Sequence, residues 1–347
     1  MMHGSGSMDR IVVTGAFGNV GRSVLSALAE QRAKKEIEVI AFERPSRANR
    51  AYARQAGAWL RVVWGSVTDP SALEAAISGA TGVIHLAAII PPAADRDPEE
   101  ARRVNEGGTA SVVAAIKARA PGARLMFSSS VAIYGDRVAD YHISADDEPA
   151  PCEDDPYAKQ KVRCEDLVRS SGIEWVICRL SYIVWRKKLR LDPLMFRMPL
   201  ATHVELCHTR DTGLALVNAL WSDEARYRIL NIAGGPSCRT TFREYLRRML
   251  GLFGLGSSSF LREEAFSRRG YHCAYLDSEV SERILHYQRT GIEDYYDEVR
   301  KETRFLRPFI ALVRPLARAW LLAKSPYLNG KGVCHKALSH GMPQAHG

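Results

Sequence analysis

Apolar residues run through this chain in short unbroken blocks, separated at regular intervals by stretches with helical period. Arg10-Ile11-Val12-Val13-Thr14 predicts a first strand, followed by a helix over 20–31. Residues 37–42 and 60–64 predict two more strands, and 70–78 a helix. A fourth strand and its exit fall at 82–88, a long helix at 99–118, a fifth strand at 124–128, a helix at 155–171 and a sixth strand at 175–179. Apolar blocks without alternation mean that both faces of each strand are covered. Strands alternating with helices at this spacing mean a parallel sheet with helices on both sides.

After Arg179 the pattern loosens. Residues 186–202 are basic and irregular, 204–207 and 229–232 read as short strands, and 212–222 as a helix. Helical and loop segments continue to about Glu302, and no internal repeat is present. The expected organisation is a sheet domain over 8–185 and 203–233, with a smaller, discontinuous substrate-covering region over 186–202 and 234–300. A basic amphipathic segment over 301–328 and a disordered tail over 329–347 follow.

The composition narrows the class. In 347 residues, 46% hydrophobic and 25% charged content is ordinary for a globular enzyme. No apolar run approaches the roughly 20 residues that span a bilayer. Residues 1–7 lack an apolar stretch, so no secretory signal is expected. Seven scattered cysteines without a Cys-x-x-Cys argue against a zinc site or disulfide scaffold, so no metal is expected and a reducing cytoplasm is the simplest setting. The net charge of +9 is not arranged as a basic stripe interleaved with aromatics, which argues against nucleic acid.

Candidate chemistry begins at Thr14-Gly15-Ala16-Phe17-Gly18-Asn19-Val20-Gly21. A glycine turn after a strand and before a helix holds a pyrophosphate on backbone N–H groups at the helix N-terminus. Gly15 permits the turn, Gly18 lets the phosphate approach and Gly21 lets helix and strand pack closely. Phe17, Asn19 and Val20 complete the cofactor-binding turn. The fold class is then α/β, a doubly wound parallel (Rossmann) sheet. Glu43, just past the second strand, is placed to accept hydrogen bonds from the adenosine ribose hydroxyls, which favours NAD. Arg44 beside it and Arg22 after the turn keep NADP as an alternative, since either could hold a 2′-phosphate.

Tyr157 and Lys161 stand one helical turn apart in Tyr157-Ala158-Lys159-Gln160-Lys161, downstream of Ser128-Ser129-Ser130. A tyrosine hydroxyl near an ammonium, and near the positive nicotinamide of an oxidised cofactor, is expected to have a lowered pKa and to act as acid or base near neutral pH. Lys161 is also placed to hydrogen-bond the nicotinamide ribose, and Ser130 to orient the substrate oxygen.

With these pieces in this order, the chain resembles the extended short-chain dehydrogenase/reductase family, which includes NAD-dependent nucleotide-sugar epimerases and dehydratases. The resemblance covers roughly residues 9–235. It is carried by the glycine turn, His85-Leu86-Ala87-Ala88, Val104 to Thr109, Ser128 to Gly135, Tyr157 to Lys161, Ile177 to Leu180 and His208 to Asp211. It implies a catalytic triad of Ser130, Tyr157 and Lys161, a structural asparagine at Asn105, and a ribose-phosphate path along Leu86, Ala87 and Ala88. Four departures bear on substrate. Gly65-Ser66-Val67 stands where an adenine-contacting aspartate is usual, leaving Ser66 and Val67 at that site. Val131 and Ala132 replace the Asp-Glu pair of the sugar-nucleotide dehydratases. Tyr182 replaces a diphosphate-holding asparagine, and Trp185 a glycine.

These departures imply a bulkier, more aromatic pocket, with Tyr182, Trp185 and Met195 as candidate substrate contacts beside Ser130. The basic run 186–190 could clamp a phosphate, a carboxylate or an acidic carrier protein. The expected activity is interconversion of a secondary alcohol and a ketone on a fairly apolar or anionic small molecule. A nucleotide-sugar 4-epimerase is the alternative, and a cofactor-sensing protein without catalysis a third reading. A homodimer is expected. Between Arg300 and Lys324, seven basic residues and one acid alternate with apolar blocks, which suits either peripheral membrane contact through 301–324 or packing on the body of the enzyme or on a second subunit. Pro308 and Pro315 should break that stretch into short pieces.

Overall fold

The computed structural model describes residues 8–186, 193–256, 260–269 and 272–328. The sheet begins with β1 (Asp9–Thr14), β2 (Ile37–Glu43), β3 (Leu60–Trp64), β4 (Gly82–His85) and β5 (Arg124–Ser130). A short β6 (His142–Ile143) precedes β7 (Glu174–Leu180), then β8 (Tyr182–Val184), β9 (His203–His208), β10 (Ile229–Ile232), β11 (Arg239–Thr241) and β12 (Tyr275–Leu276). Seven strands, all parallel, run in the order β10-β7-β5-β4-β1-β2-β3. The order reverses between β1 and β4, which opens a crevice beyond their C-terminal ends.

The apolar blocks work as both-face strands. Ile11, Val13, Val39 and Ala41 enter one buried cluster, while Val12, Ile40 and Phe42 enter the other. α1 (Asn19–Arg32) covers the first face, and α2 (Arg47–Ala56) caps the sheet edge without burying a residue. α3 (Pro70–Ile77) packs on the second face. Fully burying one Val, Leu or Ile side chain contributes roughly 1.5–3 kcal/mol, so this layered core dominates the stability.

The single helix expected over 99–118 is interrupted. After α4 (Ala93–Arg96), α5 (Pro98–Arg102) passes into a π-helical turn, Arg103–Gly107, and then into α6 (Gly108–Arg119). The extra residue in that turn places Asn105 among buried polar partners described below. α7 (Pro156–Arg169) carries Tyr157 and Lys161, its N-terminus capped by Asp155, which accepts from Ala158 N at 2.9 Å. α8 (Thr209–Asn218) starts three residues before the expected position because the His208 ring caps Arg210 N–H at 3.1 Å.

A second sheet lies outside the first, in the order β11-β9-β8. Thus β9, read in the sequence as part of the sheet domain, pairs with β8 and β11 instead. Around it packs a third cluster built from α9 (Phe242–Leu252) and α11 (Ile292–Thr303), while α10 (Glu279–Leu285) returns to the main sheet. The C-terminal stretch does break where the prolines stand, into α12 (Arg307–Leu312) and α13 (Arg314–Lys324), with a proline in the first turn of each. The tail 329–347 and residues 187–190 of the basic run lie outside the described residues.

Candidate active site

At the end of β1 the chain turns sharply. Gly15 has φ +68°, and a Cβ there would lie 2.8 Å from Ala87 N. A Cβ on Gly21 would lie 2.4 Å from Gly15 O, so strand and helix touch backbone to backbone. Gly18 is different: it is exposed, and a Cβ there would meet only Gly15 O, at 3.3 Å. No side chain caps α1, so no side-chain oxygen takes up the N–H groups of its first turn, and Gly18 and Asn19 at its start are exposed. That cradle fits a pyrophosphate.

Phe17 serves through its backbone. Its ring is buried against Tyr52 and Trp64, while its N–H donates to Glu43 Oε2 at 3.0 Å. The other Glu43 oxygen accepts from Arg44 N at 3.0 Å, which fixes the carboxylate beside the turn. Arg22 is tied down, donating to Phe17 O at 2.9 Å and lying 4.4 Å over the Tyr52 ring. Ser66 hydrogen-bonds Thr68 at 2.8 Å, and Val67 is buried against Gly108.

Beneath the crevice runs a buried polar chain of which sequence reading named only the structural asparagine, Asn105. Thr14 and His85 pair across β1 and β4, with Thr14 Oγ1 2.6 Å from His85 Nδ1. His85 Nε2 lies 3.2 Å from Thr109 Oγ1, and Thr109 gives its proton to Asn105 O at 2.6 Å. Thr109 can therefore only accept from His85, which assigns the proton to Nε2 and makes Thr14 the donor to Nδ1. Thr14 Oγ1 in turn accepts from Ala87 N at 3.3 Å. Burial, helped by the nearby Lys161, drives the His85 pKa down to about 3. The imidazole is thus held neutral.

Asn105 clamps the strand exit to the catalytic helix. Its Nδ2 donates to Ile89 O at 2.9 Å and Gln160 Oε1 at 2.7 Å, and its Oδ1 accepts from Ile89 N at 2.8 Å. Leu86, Ala87 and Ala88 line this exit, each partly buried. The one signal for the network was position: Thr14 and His85 are polar residues closing two otherwise apolar parallel strands.

Ser130, Tyr157 and Lys161 come together. Ser130 closes β5, with its Oγ accepting from Ala132 N at 3.2 Å, and its hydroxyl lies close enough to Tyr157 on α7 to favour the phenolate. Lys161 is buried, with Nζ donating to Ser128 O at 2.7 Å and lying 4.8 Å over the Phe127 ring and 5.9 Å from the Tyr157 ring centre. Burial pushes the lysine pKa down, against the pull of Cys164 and Glu165. The expected lowering of the tyrosine pKa is reversed in the protein alone. Burial pushes the phenol well above its usual value, the nearby Ser130 hydroxyl opposes this, and Asp155 and Cys164 add to it. The ammonium is spent on a carbonyl and an aromatic face rather than on the phenol.

Toward the second sheet, Tyr182 stands edge-on to Tyr245 at 5.7 Å, and Met195 packs against the same cluster. Trp185, partly buried, lies just past β8, and Arg186 pairs with Glu302 at 2.7 Å. Val131 and Ala132 are buried in the turn after Ser130 and bring no carboxylate to that position.

Comparison with known proteins agrees with this fold. The chain is similar to a short-chain dehydrogenase/reductase superfamily protein from Agrobacterium tumefaciens with bound NAD, at 24% identity and TM-score 0.66, covering 89% of this chain and 99% of that one. It is similar to the dTDP-glucose 4,6-dehydratase of Streptomyces venezuelae, at 22% identity and TM-score 0.72, covering 88% and 99%. Among curated sequences it is 26% identical to D-erythronate dehydrogenase of Haemophilus influenzae over 182 residues, 51% of this chain and 56% of the relative. It is 38% identical over 77 residues to the enzyme of that name from Cupriavidus necator, 22% of this chain and 24% of the relative. The chain thus matches about half the length of the first of these relatives and a quarter of the second. The family resemblance read from the sequence holds: the model of the NAD-dependent epimerase/dehydratase family matches residues 11–184, and the chain belongs to that family.

Proposed function

We propose that the protein is an NAD-dependent dehydrogenase that interconverts a secondary alcohol and a ketone on a small hydroxy acid or similarly sized substrate. The observation that carries this is the convergence of Ser130, at the end of β5, with Tyr157 and the buried Lys161, one turn apart on α7. The Gly15–Gly21 cradle and Glu43 would hold the dinucleotide. When bound, it supplies the acceptor for the hydride that leaves the carbinol carbon. Ser130 holds the substrate oxygen, and Tyr157 Oη takes the hydroxyl proton in oxidation and returns it in ketone reduction. The protein's own groups keep the phenol protonated, so the positive charge of an oxidised nicotinamide would be what favours the phenolate form of Tyr157 that can accept the hydroxyl proton. Lys161, fixed by Ser128 O, is placed to hold the nicotinamide ribose.

The choice of dehydrogenase over dehydratase rests on buried Val131 and Ala132 where elimination would need an acid and a base. The D-erythronate dehydrogenase relatives favour an anionic polyhydroxy acid, and Tyr182 and Met195 favour an apolar flank on the substrate. Tyr157→Phe should lower kcat by about 10²–10⁴ while NAD affinity, read by fluorescence titration, stays within twofold of wild type. Near-wild-type turnover in this variant sinks the mechanism. Incubation with hydroxy acids and with UDP-sugars separates the readings. Stoichiometric NADH on hydroxy acids supports the dehydrogenase, and sugar epimerisation without net NADH assigns the 4-epimerase alternative.

A further inference from the structure

We propose that α12 and α13 form a docking surface for an anionic lipid bilayer. Their inner face is anchored. Leu321 is buried, and Ile310, Ala317 and Leu322 pack on the third cluster, which also backs Tyr182 and Met195. Arg318 Nε donates to Phe260 O at 2.7 Å, and Ser325 Oγ to Ala265 O at 2.6 Å. The helices therefore present a fixed outer face rather than a loose arm.

That outer face is apolar. Phe305, Leu306, Phe309, Leu312, Val313, Leu316 and Trp320 are 46–83% exposed. They are seven of the thirteen exposed large hydrophobics among the described residues, gathered within sixteen positions. Leu316 and Trp320 lie four apart, on the side of α13 away from Leu321. Scattered exposed apolar residues are normal, whereas a gathered patch marks an interaction surface.

The charge around the patch names the occupant. Lys301, Arg304, Arg307, Arg314 and Lys324 are exposed alongside it, and none has a carboxylate within 4.0 Å among the described residues. Arg304 lies 4.2 Å over the Phe305 ring and Lys324 6.0 Å from the Trp320 ring, so cations border the aromatics directly. Beneath α12, a cavity of about 580 Å³ is lined by Arg307, by Arg247, itself paired with Glu244, and by Gly251, Gly254 and Gly256. An arginine at the edge of such a space suits a lipid phosphate. A second copy meeting this face by twofold symmetry would set the basic rim against itself. An anionic bilayer satisfies both the apolar patch and the rim. No helix among the described residues is long and apolar enough to cross a membrane, so α12 and α13 would lie in the interface.

The test is co-sedimentation of the full chain with vesicles of phosphatidylcholine alone or mixed with phosphatidylglycerol. Wild type should pellet with the mixed vesicles, bind phosphatidylcholine far less, and be released by high salt. Leu312→Ser/Leu316→Ser should weaken binding at least about tenfold by removing two inserted side chains, and Arg304→Glu/Arg307→Glu should do the same. Both variants should keep wild-type NAD affinity, because the substituted side chains are exposed and distant from the glycine turn. Absence of wild-type binding to mixed vesicles, or equal binding by the variants, overturns the proposal. A solution dimer that Leu312→Ser/Leu316→Ser converts to monomer, without vesicle binding, assigns the face to a second copy instead and equally overturns it.

Discussion

His85 ties acid stability to a single buried imidazole. Its pKa is 6.5 in a solvated chain and about 3 in the fold, so below pH 6.5 the unfolded state binds a proton that the folded state refuses. Stability from this group is complete above pH 6.5 and falls as pH drops toward 3, by about 1.4 kcal/mol per unit. Between pH 7 and pH 5, wild type should lose about 2 kcal/mol more than His85→Gln, read from urea unfolding at the two pH values. Parallel losses in both proteins would dismiss the idea. The same residue marks where reading a sequence stops. Ser130, Tyr157 and Lys161 were legible because two lie one helical turn apart and the third ends a strand. The chain Thr14–His85–Thr109–Asn105 draws on three separate elements and a π-helical turn, and nothing local in the sequence brings them together. The ammonium's small share in the tyrosine pKa was hidden for a related reason. Helical spacing placed the ammonium near the phenol, but only the packing reveals that Ser128 O and the Phe127 ring hold it.

At the scale of elements, the glycine turn separates structural from binding roles. Gly21→Ala would drive a methyl into Gly15 O and Ala16, and overpacking at backbone should cost about 1–3 kcal/mol or more. Gly18 has an extended backbone that any residue adopts and little around its missing Cβ. Gly18→Ala should therefore unfold within about 0.5 kcal/mol of wild type yet bind NAD more weakly, because the methyl intrudes where the phosphate approaches. Thermal unfolding and NAD titration on both variants check this, and normal NAD affinity in Gly18→Ala would remove the pyrophosphate from the turn. The Rossmann strands were readable because both of their faces are buried, which forces unbroken apolar blocks. α2 was not, since it buries no residue fully and its apolar side is mostly alanine, with Tyr52 the one large side chain that packs on the core. β6, β8 and β12 are two or three residues long and exist only through their partners. The interrupted helix at Arg103–Gly107 keeps a helical pattern in sequence, so its π turn leaves no mark on periodicity.

Across the whole molecule, the two regions are stitched rather than joined by one linker. The chain leaves the large sheet after β7, builds β8 and β9 in the second sheet, returns through α8 and β10, and leaves again at β11. Buried polar groups cross the same boundary. Asp211 of α8 accepts from the N–H groups of Arg289 and Thr290, and Tyr287 donates to Ala233 O beside β10. Asp155, capping the catalytic helix, lies 3.5 Å from His272. Separating the regions would break several such contacts at once, and each buried group left unpaired costs about 1–3 kcal/mol. The expectation is one cooperative unfolding transition that NAD moves as a unit, with about 2.7 kcal/mol of added stability at a concentration a hundred times its dissociation constant. Leu321→Ala, which opens a cavity in the third cluster far from the glycine turn, should lower that same single transition by about 2–5 kcal/mol. Calorimetry with and without NAD, on wild type and Leu321→Ala, measures both effects. Two transitions, one answering only to NAD and the other only to Leu321→Ala, would mean the second sheet folds on its own and the stitching carries no cooperativity.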